Sequence, residues 1–143
     1  MMEADRPSSM SLPLSFLAFD FGAKRVGVAS GNTLTRSATP LRTVAAEGEA
    51  RFTAIAALIQ EWQPHALVVG VPFHPDGAPH DNTERARRFA RQLHGRFKLQ
   101  VHEVDERYST TQAATEAASG GARDLDAASA AIILNQFLAG IIE

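Results

Sequence analysis

The sequence predicts an α/β domain with a mixed five-stranded sheet and helices on both of its faces. Two apolar runs, residues 16–20 and 26–30, flank a glycine-containing turn, and this pattern indicates a β-hairpin. A continuous apolar run at residues 66–70 is typical of a strand buried on both faces of a parallel sheet. Helical and strand patterns alternate after the hairpin, so we expect parallel strands joined by right-handed crossovers.

The remaining elements follow from periodicity and from turn residues. Residues 38–44 indicate a third strand, which Pro40 places near an edge of the sheet. Apolar residues have helical spacing over residues 51–62, and Pro64 blocks continuation of that helix. A loop is predicted at 71–80, and Asp81 or Asn82 can cap the helix that follows, which ends near His94. A strand is predicted at 99–106. The next helix begins at the capping box of Ser109 and Gln112 and ends at Gly120 and Gly121, and the last helix covers 124–142.

Length and composition limit the functional classes. A length of 143 residues predicts a single domain, which we place at 15–143. The polar residues near the start of the sequence predict a flexible tail at 1–14. The sequence has no cysteine, which excludes disulfides and thiolate metal sites and fits a cytoplasmic protein. No apolar run approaches the roughly 20 residues that span a bilayer, so we expect no membrane association. The net charge of −2 argues against a protein that coats nucleic acid through bulk positive charge.

Asp20 is the first candidate for chemistry. It ends an apolar strand, where an ionised carboxylate is costly unless it is paired or binds a cation. A second interpretation is a strand-end aspartate that hydrogen-bonds the turn at Gly22. Position alone gives the two interpretations equal weight.

Glu106 ends the predicted strand at 99–106, just before a capped helix start. The exposed backbone N–H groups of that helix start, together with Arg107, would make a phosphate anchor. A solvated charge cluster at a strand end is the simpler interpretation. Strand alternation does not decide between Asp105 and Glu106, because both phases mix polar and apolar residues, and Asp105 remains a spare acid.

Asp126 lies at the start of the last helix. It heads the apolar stripe formed by Ala130, Ile133 and Phe137, whereas Asp124 lies on another face and is a natural N-cap. A bound metal ion would explain a carboxylate on a core-facing stripe. The alternative is a first-turn aspartate that complements the helix dipole.

Basic residues cluster between positions 85 and 98. The cluster indicates either a solvated helix surface, which we slightly favour, or a track for the phosphates of a nucleic acid. Arg85 and Arg88 share one helical face. Lys24 and Arg25, in the turn after the first strand, are better placed to contact a substrate.

Two histidines, His74 and His80, lie in the predicted loop at 71–80. A role in proton transfer and an ordinary place in a loop are both open, and the ordinary place is the simpler interpretation.

Five segments resemble the motifs of the YqgF/RuvX family, in the order in which the family has them. They are spread over nearly the whole length of residues 16–138, which makes the match far more specific than any single motif. The segments are 19–29 (FDFGAKRVGVA), 38–41 (ATPL), 69–72 (VGVP) with 76–77 (DG), 105–110 (DERYST) and 126–134 (DAASAAIIL). Departures from the family at 73–75 and 115–124 concern substrate fit and not the acidic residues.

The resemblance implies a ribonuclease-H-like fold and a nuclease that matures the 5′ end of pre-16S ribosomal RNA, with resolution of Holliday junctions as the alternative. The family's acidic residues map onto Asp20, Glu106 and Asp126. Two divalent ions, Mg²⁺ or Mn²⁺, about 3.5–4 Å apart would activate water and stabilise the leaving oxygen. We expect Asp20 to bridge the two ions, with Glu106 and Asp126 each holding one. The candidate contacts to nucleic acid are Lys24, Arg25, Arg107, Arg85 and Arg88.

Two other functional classes were compared with a nuclease. ATP-binding proteins of the actin, heat-shock and sugar-kinase type need two such domains to close on a nucleotide, and this chain supplies one without a P-loop. A non-catalytic RNA-binding factor of ribosome assembly stays open, because only an activity assay separates it from a nuclease. The sequence also leaves open the choice between pre-rRNA and branched DNA, and between monomer and dimer.

Overall fold

A computed structural model describes residues 13–73, 76–78, 81–105 and 125–142. The elements in these ranges are β1 (Ser15–Phe21), β2 (Val26–Asn32), β3 (Ser37–Val44), α1 (Gly48–Trp62), β4 (Ala66–Val71), α2 (Thr83–Phe97), β5 (Gln100–Asp105) and α3 (Leu125–Ile142). None of the helices in the described ranges is long and apolar enough to cross a membrane. The predicted helix after Ser109 lies outside them, as does nearly all of the predicted tail at 1–14, so the division into tail and domain stays a prediction.

The five strands form one mixed sheet, as the sequence predicted, and their order in the sheet is β3-β2-β1-β4-β5. β1 pairs antiparallel with β2 and parallel with β4, and β4 pairs parallel with β5. β3 is an edge strand, which fits Pro40, because proline cannot donate a hydrogen bond to a central ladder. Its register with β2 shifts so that Leu41 is an extra residue, as in a β-bulge.

Alternation along β1 separates two cores on the two faces of the sheet. Leu17 and Phe19 pack toward α1 and α2, together with Ile55, Phe89 and Leu93. The other core, under α3, contains Phe16, Ala18, Ala66, Val68, Ile133, Leu134 and Leu138. Helices therefore cover both faces, which confirms the predicted fold class.

Two helix ends differ from the expected bounds. α1 begins at Gly48, three residues before the predicted start, because its first residues carry no apolar periodicity. α2 continues past His94 to Phe97 and ends at Lys98, which has the left-handed backbone conformation and donates its N–H to the His94 carbonyl. Glycine is the usual residue at such an end, so a lysine gave no stop signal.

A close backbone contact holds the start of α3 on the sheet. A Cβ atom on Gly27 of β2 would overlap the carbonyl oxygen of Asp126 and would lie 2.8 Å from the nitrogen of Ala127. Only glycine fits between this strand and this helix start. The contact sets the position of the first turn of α3 relative to the end of β1.

We predict that Gly27→Ala destabilises the protein by about 1–3 kcal/mol, the usual cost of forcing extra atoms into a packed site. The added methyl group has to push the first turn of α3 away from β2. Denaturant unfolding followed by circular dichroism measures the change.

Gly95→Ala is the matched control. No atom outside its own helix lies within 4 Å of a Cβ at Gly95 in α2, so alanine should stabilise the helix by about 0.5–1 kcal/mol. Equal effects of the two substitutions would show that Gly27 does not control the packing of α3.

Candidate active site

Asp20 lies on the α3 face of β1, in phase with Phe16 and Ala18. Its register partners are Gly27 on the antiparallel strand β2 and Gly70 on the parallel strand β4. Register partners in a sheet point to the same face, and neither glycine has a side chain. No register partner therefore places a side chain beside the carboxylate of Asp20. The space above Gly27 is filled by the backbone at the start of α3.

Asp126 lies in the first turn of α3, above the same end of the sheet. Its backbone packs against Gly27, and Gly27 is the register partner of Asp20. Paired Cα atoms in an antiparallel ladder are about 4.5–5.5 Å apart, so one glycine separates the backbones of the two aspartates. The structure thus brings two of the three predicted metal ligands to one face and one end of the sheet.

The turn between β1 and β2 closes the side of this site. A cleft of about 510 Å³ is lined by Gly22, Ala23, Lys24, Arg25 and Asp126. We call it the carboxylate cleft. The Arg25 guanidinium forms an ion pair with Asp126, with 2.9 Å between Nε and Oδ2. Arg25 was predicted to contact nucleic acid, and the structure gives it a carboxylate partner within the chain.

The end of β5 shows the face on which Asp105 lies. Glu103 forms an ion pair with Arg87 of α2, at 3.4 Å, while Val104 packs against the core under α3. Alternation places Asp105 with Glu103, on the face opposite to Asp20. The spare acid Asp105 is therefore on the wrong face to join Asp20 and Asp126.

The third predicted ligand, Glu106, lies outside the described residues, and so do Arg107, His74 and His80. Among the residues that the structure describes, no group of three or more histidine or acidic side chains could hold a metal ion. The described site consists of the two aspartates and the basic turn beside them.

The basic residues of α2 divide into two groups. Arg87, Arg91 and Arg96 form ion pairs with Glu103, Glu84 and Glu49, respectively. These pairs hold the pKa of Glu84 and of Glu49 below the usual range, through hydrogen bonds from Arg91 and Arg96 first. A solvated helix surface is the right interpretation for this group.

Arg85 and Arg88 behave differently. They line a pocket of about 310 Å³ on the face of the sheet opposite to Asp20, and Arg51 of α1 lines the same pocket. Phe21, Phe52 and Phe89 form its apolar floor. We call it the arginine pocket.

Arg51 is a residue that the sequence analysis missed. Only 6% of its surface is exposed, and its guanidinium donates to the carbonyl oxygens of Ala46, at 2.8 Å, and Ala23, at 3.0 Å. Burial lowers the pKa of Arg51, and the charge of Glu47 partly offsets this. The bond to Ala23 connects Arg51 to the turn that also lines the carboxylate cleft.

A family model described as RuvX, Holliday junction resolvase, matches residues 14–140. The chain belongs to the RuvX family. This confirms the resemblance found in the five sequence motifs.

Relatives of this RuvX protein have names that provisionally assign a nuclease activity on pre-16S rRNA. One, from Polaromonas sp. (strain JS666 / ATCC BAA-500), is 67% identical over 124 residues, which cover 87% of each chain. Another, from Paraburkholderia phytofirmans (strain DSM 17436 / LMG 22146 / PsJN), is 55% identical over 139 residues, which cover 92% of this chain and 95% of the relative.

Solved structures share the fold at low sequence identity. RuvC of T. thermophilus, in complex with a Holliday junction substrate, superposes with a TM-score of 0.54 at 15% identity, covering 90% of this chain and 96% of RuvC. The yeast mitochondrial Holliday junction resolvase Ydc2 gives a TM-score of 0.50 at 11% identity, covering 86% and 77%. The likeness confirms the ribonuclease-H-like fold predicted for the RuvX chain.

We predict that the pair of Arg25 and Asp126 contributes less than about 1 kcal/mol to stability, because such partly exposed ion pairs are screened by water. The side chains are 65% and 30% exposed, respectively. A double-mutant cycle with Arg25→Gln and Asp126→Asn, measured by denaturant unfolding in chelator, gives the coupling energy. A coupling energy above about 2 kcal/mol would mean that the ion pair stabilises the fold, and that Arg25 is not available to bind another partner.

Proposed function

We propose that this RuvX-family protein is a metal-dependent phosphodiester hydrolase that processes the 5′ end of pre-16S rRNA. The observation that carries the proposal is the convergence of Asp20 and Asp126 beside a cleft with two basic side chains, Lys24 and Arg25. The names of relatives that are 55% and 67% identical agree with a nuclease. The fold supplies the scaffold, and the argument for the activity comes from the site.

The donor set fits a hard divalent cation. Carboxylate oxygens are the ligands that Mg²⁺ and Mn²⁺ prefer, and neither register partner of Asp20 places a side chain beside its carboxylate. Asp126 is partly exposed at the cleft. We assign Asp20 and Asp126 as residues that would hold the divalent ions. Bound ions would supply an activated water and stabilise the leaving oxygen.

Glu106 is our proposed third ligand. It directly follows Asp105 in the sequence, and neighbouring residues of a strand point to opposite faces of the sheet. Since Asp105 is on the face opposite to Asp20, this alternation favours Glu106 over Asp105 as the partner of the two aspartates. Arg107, the next residue, remains a proposed contact to the substrate.

Arg25 and Lys24 would orient the substrate. The guanidinium of Arg25 now neutralises Asp126 at 2.9 Å. If Asp126 holds a cation instead, that guanidinium is free to form paired hydrogen bonds with two oxygens of a phosphate. Lys24, which is exposed in the same cleft, would add a second positive charge for the phosphodiester.

The proposed substrate also defines the cellular setting. A bacterial precursor of ribosomal RNA is found in the cytoplasm, and a sequence without cysteine fits that reducing compartment. We therefore propose a cytoplasmic enzyme of ribosome biogenesis whose partner is RNA.

Asp20→Asn should abolish cleavage, because an amide keeps the shape of the side chain but is a poorer ligand for a hard cation. The variant should fold with unchanged or higher stability in chelator, since one of several clustered negative charges is removed. It should also lose much of the rise in melting temperature that Mg²⁺ or Mn²⁺ gives the native protein. Cleavage and melting with and without metal measure all three effects.

The matched control is Glu103→Gln, which also changes a carboxylate to an amide but lies on β5, on the face of the sheet opposite to Asp20. It should keep both cleavage and stabilisation by metal. An active Asp20→Asn variant would remove Asp20 from the mechanism and leave it the simpler role of supporting the turn at Gly22.

A second candidate function is the resolution of Holliday junctions, which the description of the matching family model favours. Its test is incubation of the protein with pre-16S precursor, generic RNA and a four-way DNA junction, each with Mg²⁺, Mn²⁺ or chelator. We expect metal-dependent cleavage of the precursor near its 5′ end. Selective cleavage of the junction by a two-fold dimer, with the dimer measured by light scattering, would favour the resolvase instead.

A further inference from the structure

The arginine pocket combines cationic side chains with an apolar floor. Arg51, Arg85 and Arg88 line it, and no carboxylate is among the lining residues that the structure describes. In the described part of the chain, neither Arg85 nor Arg88 forms an ion pair within 4 Å. Their neighbours Arg87 and Arg91, on the same helix, are both paired. The two arginines of α2 that form no ion pair with a described residue therefore both line this recess.

Arg51 adds a buried charge to this recess. Its guanidinium has five N–H donors, and its two hydrogen bonds to described residues both go to neutral carbonyl oxygens. This cation is 94% buried, and it forms no ion pair with a described carboxylate, so the charge of Glu47 compensates it only in part. The apolar side chains around it reduce screening by water, which strengthens its attraction for an anion.

The recess is also connected to the carboxylate cleft. Ala23 lines both, and its carbonyl accepts the hydrogen bond from Arg51. The turn at residues 22–25 thus has Asp126 on one side and the three arginines on the other. A strand that crosses this turn can contact both.

We propose that the arginine pocket binds a backbone phosphate of the substrate strand, separate from the phosphate that is cleaved. Arg85 and Arg88 would contact the phosphate oxygens directly, and the buried charge of Arg51 would attract them from below. Such contacts position a strand without reading its sequence. The inference rests on the proposed function only in taking nucleic acid as the ligand.

The test measures binding and not cleavage. A short labelled single-stranded RNA is titrated with the full chain in chelator, and fluorescence anisotropy gives Kd at several salt concentrations. The double variant Arg85→Gln/Arg88→Gln should weaken binding about tenfold or more near 0.1 M salt. It should also reduce the salt slope of log Kd by about 0.7, the contribution of one phosphate contact on a single strand.

The control is Arg87→Gln/Arg91→Gln, which removes the same charge from the same helix but from residues paired with acids. It should change Kd less than about threefold and leave the slope nearly unchanged, because these arginines release few counterions from RNA. All four arginines are exposed, so melting temperatures should show that both variants fold.

The outcomes separate this site from the proposed activity. Equal weakening by the two double variants would overturn the arginine pocket and indicate a general charge effect. Absence of RNA binding by the native chain would also overturn it. If no substrate is cleaved with any metal but the arginine dependence of binding is found, the pocket stands and the hydrolase proposal falls. If the precursor is cleaved and Arg85→Gln/Arg88→Gln binds like the control, only the pocket falls.

Discussion

The backbone contact between Gly27 and Asp126 is the constraint on which the site depends. A helix can approach a strand this closely only where the strand residue has no Cβ. The contact fixes the start of α3, and the apolar residues farther along the helix, such as Ile133 and Leu134, bury it against the sheet. Because Gly27 is also the register partner of Asp20, helix packing and the distance between the two aspartates are set by one residue.

Most of the fold could be predicted because its signals are local. Alternation and apolar runs indicated all five strands, and Pro40 correctly indicated an edge strand. The end of α2 was misplaced for a physical reason, since Lys98 adopts a conformation for which glycine is the expected residue. The bulge at Leu41 also gave no signal, because it results from the register between two strands.

The candidate site was harder to predict, because proximity between distant residues leaves no local pattern. Asp20 and Asp126 each had a simpler explanation when taken alone, and the family resemblance was needed to select them. Glycines within strands commonly mark close approaches, and this signal could have drawn attention to Gly27 and Gly70. Arg51 could not have been found, since its hydrogen-bond acceptors are backbone carbonyls that any residue type provides.

The distribution of charge explains how a chain with a net charge of −2 can bind a polyanion. Binding of a polyanion depends on the cations that lack an acidic partner within the chain. A paired arginine must first break its ion pair with a carboxylate before it can bind a phosphate. On α2, acids from α1 and β5 neutralise Arg96 and Arg87, and Glu84 neutralises Arg91. Arg25 is the intermediate case, because its partner is itself a proposed metal ligand. Cation binding at Asp126 would release a guanidinium at the cleft, so metal and substrate binding would favour each other through this one exchange.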